Sequence, residues 1–463
     1  GVDKALIAEA ARMYATAAGA SIPWTPITDQ QISSTSAIRL HSILRAVTGN
    51  LDVVGGDTLG GFNPSYIPES ELGLHEVLSP EQKAKQMGYD DHPVYTYRVA
   101  EMLKEPTEKV WGFPYADIVM GCHMANPTNV FRAMKTEQPY PIKAFIVLGN
   151  NALLSYPNQH QILEAMMNQE LIVAHELFMT PTAMLADYIL PGDVFTERNH
   201  VADSWSWTTR LTLSQKVVEP PEQASSTYQF WHDLAVRFGF GNEFPWQSIE
   251  EVLDHRLARS GRTFREFEEQ GFMEMPIPEY RKYRKTGFAT PSGKVELYSS
   301  ILEELGFDPL PYYREGPATS PEYPYMVFTG VREDPFFQTG QRNVKELRDR
   351  CPVPSVFIHP EDATRDGLND GDWISLETAH GKVSAQLSVQ SSMKQGHLRV
   401  PHGWWYPEMR GQESLAGAFL SSDAVLCSDD DEFLDYEQGI PHFKGFPGKV
   451  VKAEKPEHLQ AAS

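Results

Sequence analysis

Apolar residues recur at helical spacing over residues 4–17, through Leu6, Ile7, Ala10 and Met13, and predict an amphipathic helix. A second helix is predicted over 34–47, with Ile38, Leu40, Ile43, Leu44 and Val47 as its stripe. Thr48-Gly49-Asn50 stops it, and a glycine-rich loop follows from 55 to 61. The period then changes. Residues 143–148 form a short continuous apolar run ending in Gly149-Asn150-Asn151, and 157–169 read as a helix. A second buried strand follows over 171–174 and a third over 187–191. Strands alternating with helices at this spacing predict a doubly wound, mostly parallel sheet.

Residues 201–315 are mixed and polar, with helices expected near 222–238 and 262–269. Residues 306–324 are rich in proline and tyrosine, lack periodicity and mark a linker. Beyond it the pattern is β. Five strands are expected over 325–328, 355–358, 373–377, 383–389 and 397–400, with turns at Gly371, Gly381 and Gly396. In the fourth, Val383, Ala385, Leu387 and Val389 alternate with polar residues, as in a compact barrel. Residues 453–463 read as a frayed tail. The fold class is therefore α/β, a doubly wound sheet domain followed by a carboxy-terminal β-barrel-like domain. The expected divisions are 1–50, the remnant of an α/β domain; 51–200, a nucleotide-binding α/β domain; 201–315, a mixed α segment and linker; and 316–463, the barrel-like domain.

Composition narrows the function. The 463 residues carry a net charge of −22, which leaves no basic stripe for nucleic acid and no affinity for an anionic membrane face. An anionic ligand must then be held locally, by backbone N–H groups, helix starts and a few placed cations. Cys122, Cys351 and Cys427 stand far apart and form no C-x-x-C pair, so this chain alone builds no iron–sulfur or zinc site. No apolar run reaches the roughly 18 residues of a membrane span. The chain opens inside a predicted helix, from which a preceding segment is expected. A cytoplasmic location is expected, with a periplasmic one open because any export signal would lie upstream.

Common catalytic signatures are missing. His175-Glu176 begins a zinc-helix pattern, but Met179 stands where the second histidine belongs. Residues 287–294 resemble a phosphate loop with one residue too many, and Val295 replaces its hydroxyl. Neither G-x-G-x-x-G after a strand nor G-x-S-x-G occurs. The consecutive carboxylates Asp429-Asp430-Asp431-Glu432 lack the alternation of a calcium loop.

Four segments remain. Gly149-Asn150-Asn151 ends a parallel strand, where ligands of doubly wound sheets bind; it is equally a plain strand-to-helix turn. Glu176 ends the next strand, and Thr180 and Thr182 either cap the following turn or donate to a phosphate. Arg332 offers a planar donor fork, or pairs with Glu333 or Asp334 at the surface. Pro401-His402-Gly403-Trp404-Trp405-Tyr406-Pro407 either lines a core or interface or faces a ligand.

Taken in order, these segments resemble the molybdopterin oxidoreductase superfamily of dimethyl sulfoxide reductase and formate dehydrogenase. The resemblance runs from LRAVTGNL at 44–51 through GFATPSGKVEL at 287–297, TGVR at 329–332 and QRN at 341–343. It ends with HPEDA at 359–363, GLNDGD at 367–372 and HGWW at 402–405. It implies that Gly149, Asn150, Glu176, Thr180 and Asp187 hold the guanosine end of a molybdopterin guanine dinucleotide. Thr329, Gly330, Arg332, Gln338 and residues near Trp404 would touch the pterins, and Lys444 matches a basic position that closes the site in the family. The implied metal is molybdenum or tungsten, with no ligand to it from this chain, and a 4Fe-4S cluster would lie in a preceding part. The implied reaction is two-electron or oxygen-atom transfer on a small-molecule substrate, with an iron–sulfur electron-transfer subunit as a conceivable partner. On this reading the chain alone is inactive. The aromatic Gly-Trp-Trp run points to the branch of thiosulfate and polysulfide reductases and acetylene hydratase.

Two departures stand out: Phe336 replaces a histidine of some members, and Ala424 replaces an asparagine that precedes a Val-Leu pair. No catalytic residue is nominated, although His123, His402 and Arg410 are polar candidates for the substrate funnel. A non-catalytic assembly subunit that keeps the fold without the metal is the alternative.

Overall fold

Three parallel strands organise the first half of the molecule: β1 (Ala144–Leu148), β2 (Leu171–Glu176) and β3 (Tyr188–Pro191), in that spatial order. The computed structural model describes residues 2–59, 65–202, 210–274, 279–409, 411 and 414–460. All three strands match the apolar runs of the sequence. The crossover between β1 and β2 carries helix Gln159–Met167, whose Ile162, Ala165 and Met166 are sealed against Leu153, Leu154 and Ile172. Helix Pro127–Thr136 adds Phe131 and Met134 to the same core. Burying these apolar residues favours the layered arrangement at about 25 cal/mol per Å2 removed from water.

The helices Lys4–Thr16 and Ser34–Thr48 form as predicted, the second ending on Gly49 in the left-handed conformation with φ 74°. Their stripes are not fully covered, however. Leu6, Ile7 and Met13 are all more than half exposed, so periodicity marked the helix but not a filled interface.

Residues 201–315 hold more β structure than expected. Strands β4 (His200–Ala202), β5 (Arg210–Ser214) and β6 (Phe272–Glu274) form a small antiparallel sheet. Its Val201, Leu211 and Met273 pack on Leu253, Leu257, Phe264 and Phe267 from the two helices beside it. Three- and five-residue strands are too short to show a period against a polar background.

The last domain is a closed barrel of β7 (Tyr325–Val331), β8 (Ser355–Ile358), β9 (Trp373–Thr378), β10 (Lys382–Val389), β11 (His397–Pro401) and β12 (Lys444–Lys452). The order is β10-β8-β11-β7-β12-β9. The first five are the expected strands. The sixth escaped notice because Gly445, Pro447 and Gly448 interrupt its pattern, and its register shifts between Lys444 and Phe446. Val383, Ala385 and Leu387 point inward, as their alternation requires.

Two joints matter for the site. Trp405, Leu415, Ala416 and Ala418 leave the barrel to complete the core of the parallel-sheet domain. Within the expected frayed tail, residues 457–460 form helix Glu457–Gln460, whose Leu459 packs with Phe336, Trp404 and Tyr406; residues 461–463 lie outside the described residues. No helix among the described residues is long and apolar enough to cross a membrane.

Candidate functional site

The carboxyl edge of the parallel sheet supplies one wall. Gly149 follows β1 with φ 56°, and its N–H donates to the His175 carbonyl at 3.0 Å. A Cβ built there would meet nothing within 4 Å, so the backbone faces open space. Gly149 therefore offers close approach rather than a free N–H. Asn150 is exposed, and its side chain makes no hydrogen bond among the described residues.

The next turn is locked from within. Thr182 Oγ1 donates to Asn151 Oδ1 at 2.7 Å and accepts from the Leu153 N–H at 3.0 Å. Thr180 Oγ1 accepts from the Ala183 N–H at 3.2 Å, at the first residue of the short 3-10 turn Ala183–Leu185. Its own hydroxyl proton has no acceptor among the described residues and remains available. Glu176 Oε2 accepts from the Leu177 N–H at 2.7 Å, and burial raises its pKa above the ordinary carboxylate value.

Asp187 does not join this edge. It precedes β3 at the amino end of the sheet, where its carboxylate accepts from the Ile172 N–H at 2.8 Å. Its role is to anchor the β2–β3 pairing, which removes it from the implied ligand set.

The barrel supplies the opposing wall. Strands β7 and β11 run parallel and side by side, and their carboxyl ends carry Thr329-Gly330 and His402-Gly403. Thr329 is sealed, its hydroxyl donating to the Phe443 carbonyl. Lys444 Nζ donates to the carbonyls of Thr329 at 2.7 Å and Gly330 at 3.0 Å, so it ties β12 to this corner. Burial lowers the Lys444 pKa, opposed by the Asp423 carboxylate.

Arg332 is exposed, stacks 4.8 Å from the Phe337 ring and makes no ion pair among the described residues. The surface pair with Glu333 or Asp334 is thereby replaced by a free guanidinium; Asp334 faces Arg350 at 3.5 Å instead. Gln338 is exposed in the left-handed region with φ 49°.

Trp404 is corrected. It is 0% exposed, edge-on to Phe336 and beneath Arg342 and Arg348, so it belongs to a core and cannot touch a ligand. Phe336 shares that core, with the Arg342 guanidinium 4.0 Å above its ring. Ala424 is fully buried and presents no side chain to a ligand.

Among the funnel candidates, His123 donates to the Ala116 carbonyl at 2.8 Å and meets Tyr97 in the helical region, apart from these loops. Arg410 lies outside the described residues. His402 does join the barrel corner.

An open cavity of about 710 Å3 lies between the domains. Phe178, Met179, Met184 and Ile189 line it from the sheet side, and Asn343, Trp405, Pro407 and Gly411 from the barrel side. Asn343 Oδ1 is buried on this wall without a hydrogen-bond partner. The open face at Gly149 gives a phosphate-bearing ligand close approach to backbone at the carboxyl end of β1. No group of three or more His, Cys, Asp or Glu residues among those described is arranged to hold a metal ion.

Sequence reasoning missed Asp423 and Arg342. Asp423 is buried where a carboxylate must be partnered, yet in sequence it is only an acid after two serines. Arg342 lay inside a quoted motif, but its burial beneath His402 leaves no sequence trace.

A parallel sheet and a closed six-stranded barrel thus meet across a shared cavity. The family follows from likeness to known chains. Residues 69–237 match the model for molybdopterin oxidoreductase, and residues 326–430 that for the molydopterin dinucleotide binding domain. The chain is 44% identical to acetylene hydratase of Syntrophotalea acetylenica over 98% of its length and 63% of that protein. It is 25% identical to dopamine dehydroxylase of Eggerthella lenta, over 90% of this chain and 46% of that one. The solved acetylene hydratase from Pelobacter acetylenicus superposes with a TM-score of 0.93 at 43% identity, over 98% of this chain and 63% of that chain. The chain belongs to the molybdopterin oxidoreductase family. It spans 63% of the first of these curated relatives and 46% of the second.

Proposed function

We propose that this chain is the cofactor-holding part of a molybdenum or tungsten enzyme carrying bis-molybdopterin guanine dinucleotide and acting on a small molecule. The observation that carries the reading is the cavity of about 710 Å3 between the β2–β3 turn and the segment after β11, together with Gly149, whose backbone faces open space at the carboxyl end of β1. Gly149 would let backbone approach a phosphate, and Thr180 would donate its free hydroxyl proton to it. Asn150 and the second oxygen of Glu176 would read the guanosine by hydrogen bonds. Arg332, Gln338, Gly330 and Thr329 would meet the pterin, with Lys444 holding that corner in shape. When bound, the metal–pterin group supplies two-electron or oxygen-atom transfer, or activates a small substrate for addition of water.

Hydration of a small alkyne is the reaction the likeness favours. Identity to acetylene hydratase is 44%, against 27% to the thiosulfate reductase subunit of Salmonella typhimurium and 26% to the dimethyl sulfoxide reductase of Rhodobacter capsulatus. A 4Fe-4S cluster and an electron-transfer subunit belong to the same proposal and would lie outside this chain.

Incubation of the full-length protein with acetylene separates the readings. Acetaldehyde formed without net consumption of an electron donor supports hydration. Turnover only with a reduced dye and an oxidised sulfur or nitrogen substrate supports the reductase reading. Neither reaction, in folded protein loaded with metal and pterin, contradicts both.

A further inference from the structure

One carboxylate clamps the two glycine corners of the barrel together. Asp423 is fully buried; its Oδ2 accepts from the Gly330 N–H at 2.6 Å and its Oδ1 from the Gly403 N–H at 2.8 Å. The same two oxygens each lie 3.2 Å from His402 Nδ1. These contacts hold the Asp423 pKa below the ordinary value although burial opposes it, so the group stays a pure acceptor. A pure acceptor at Nδ1 places an imidazole proton there, and in the Nδ1–H tautomer Nε2 is an acceptor.

Nε2 of His402 makes no hydrogen bond among the described residues, and it is not one of the sealed, unpartnered side-chain atoms. The other polar groups around the ring are already committed. Lys444 is spent on the Thr329 and Gly330 carbonyls, Arg342 Nη2 donates to the His402 carbonyl at 3.0 Å, and the Cys427 thiol faces the Asp423 carbonyl. Substitution at the clamped corners is also blocked: a Cβ on Gly403 would sit 2.3 Å from Thr339 Cγ2.

We propose that Asp423 is a positioning residue that orients His402 so that Nε2 accepts a hydrogen bond from an N–H group of the pterin. This inference rests on reading the site as a pterin holder. A histidine kept only for packing would need neither the carboxylate nor an unsatisfied outward nitrogen.

The test uses the full-length protein, with GMP released by acid hydrolysis as the measure of bound dinucleotide and thermal melting as the measure of fold. In His402→Asn the amide replaces Nδ1 and nothing replaces Nε2; in His402→Gln a polar atom stands near Nε2. The Asn variant is expected to melt near the wild type and to bind about tenfold more weakly, as loss of one hydrogen bond of about 1.4 kcal/mol implies. The Gln variant is expected to recover most of the GMP. Selective 15N labelling of histidine should find the His402 proton on Nδ1, and Asp423→Asn should shift it toward Nε2. Full GMP in the Asn variant, or a wild-type proton on Nε2, overturns the inference while leaving the cofactor reading intact. A wild type without GMP overturns the cofactor reading, and this inference with it.

Discussion

Thr182 and Asn151 are bonded side chain to side chain at 2.7 Å, across the two turns that leave β1 and β2. Both are buried, and Thr182 also receives the Leu153 N–H. The pair fixes the spacing of the sheet edge on which Gly149 and Thr180 stand. Thr182→Val preserves shape but strands the Leu153 N–H and leaves the Asn151 oxygen only the backbone N–H of residue 182, at 3.3 Å. It should cost about 1–3 kcal/mol of stability, read as a lowered denaturation midpoint, because buried polar groups left without partners are destabilising. An unchanged midpoint would remove the pair from the account.

Gly149 and Gly330 should respond differently to alanine. At Gly149 the new methyl meets open space, so the cost is the left-handed backbone alone, about 1 kcal/mol. At Gly330 the Cβ would lie 2.5 Å from Lys444 Nζ, which must shift from its place on two carbonyls, and the left-handed φ of 66° adds to the cost. Gly330→Ala should therefore melt well below Gly149→Ala. Gly149→Ala should fold normally yet lose bound GMP, since the methyl occupies the approach to the backbone.

Trp404 gives a control. Truncation to alanine should cost about 3–5 kcal/mol, the usual penalty for emptying a large core site. Trp404→Phe should cost much less, because the buried Nε1 it removes has no partner. A Trp404→Phe variant that folds normally and loses cofactor would restore Trp404 to the ligand set.

Glu333 predicts a pH dependence. Burial raises its pKa to about 7, and the nearby Arg342 only partly offsets that. The folded protein thus keeps this proton up to about pH 7, whereas an unfolded glutamate releases it near pH 4.3. Between those values the folded state binds more protons, so stability falls as pH rises and levels off above about 7. Glu333→Gln should flatten that slope and raise the melting temperature at pH 7.5. An equal slope in wild type and variant would assign the effect elsewhere.

How much of this was legible in the sequence depended on the kind of signal. Continuous apolar runs fixed β1, β2 and β3, and strict alternation fixed β10, because burial on two faces or one leaves a period. β12 has no such period, since Gly445 and Pro447 bend it where it closes the barrel. Residues chosen for position at a strand end, such as Gly149, Asn150, Glu176 and Thr180, do stand at the sheet's carboxyl edge. Asp187 and Trp404 were drawn from the right segments, but one faces the far end of the sheet and the other a core. Direction along a strand and depth below a surface are tertiary facts. Asp423 acts across three separate segments, and nothing local marks such a residue.

The central claim is that the cavity between sheet and barrel holds a pterin guanine dinucleotide with its metal. Joint determination of molybdenum, tungsten and acid-released GMP on the purified full-length protein tests it most directly. The account predicts one of the two metals at stoichiometric occupancy together with GMP, and loss of the GMP in Gly149→Ala. Folded full-length protein containing neither metal nor GMP, from cells that load other pterin enzymes, would contradict it and favour a non-catalytic assembly role.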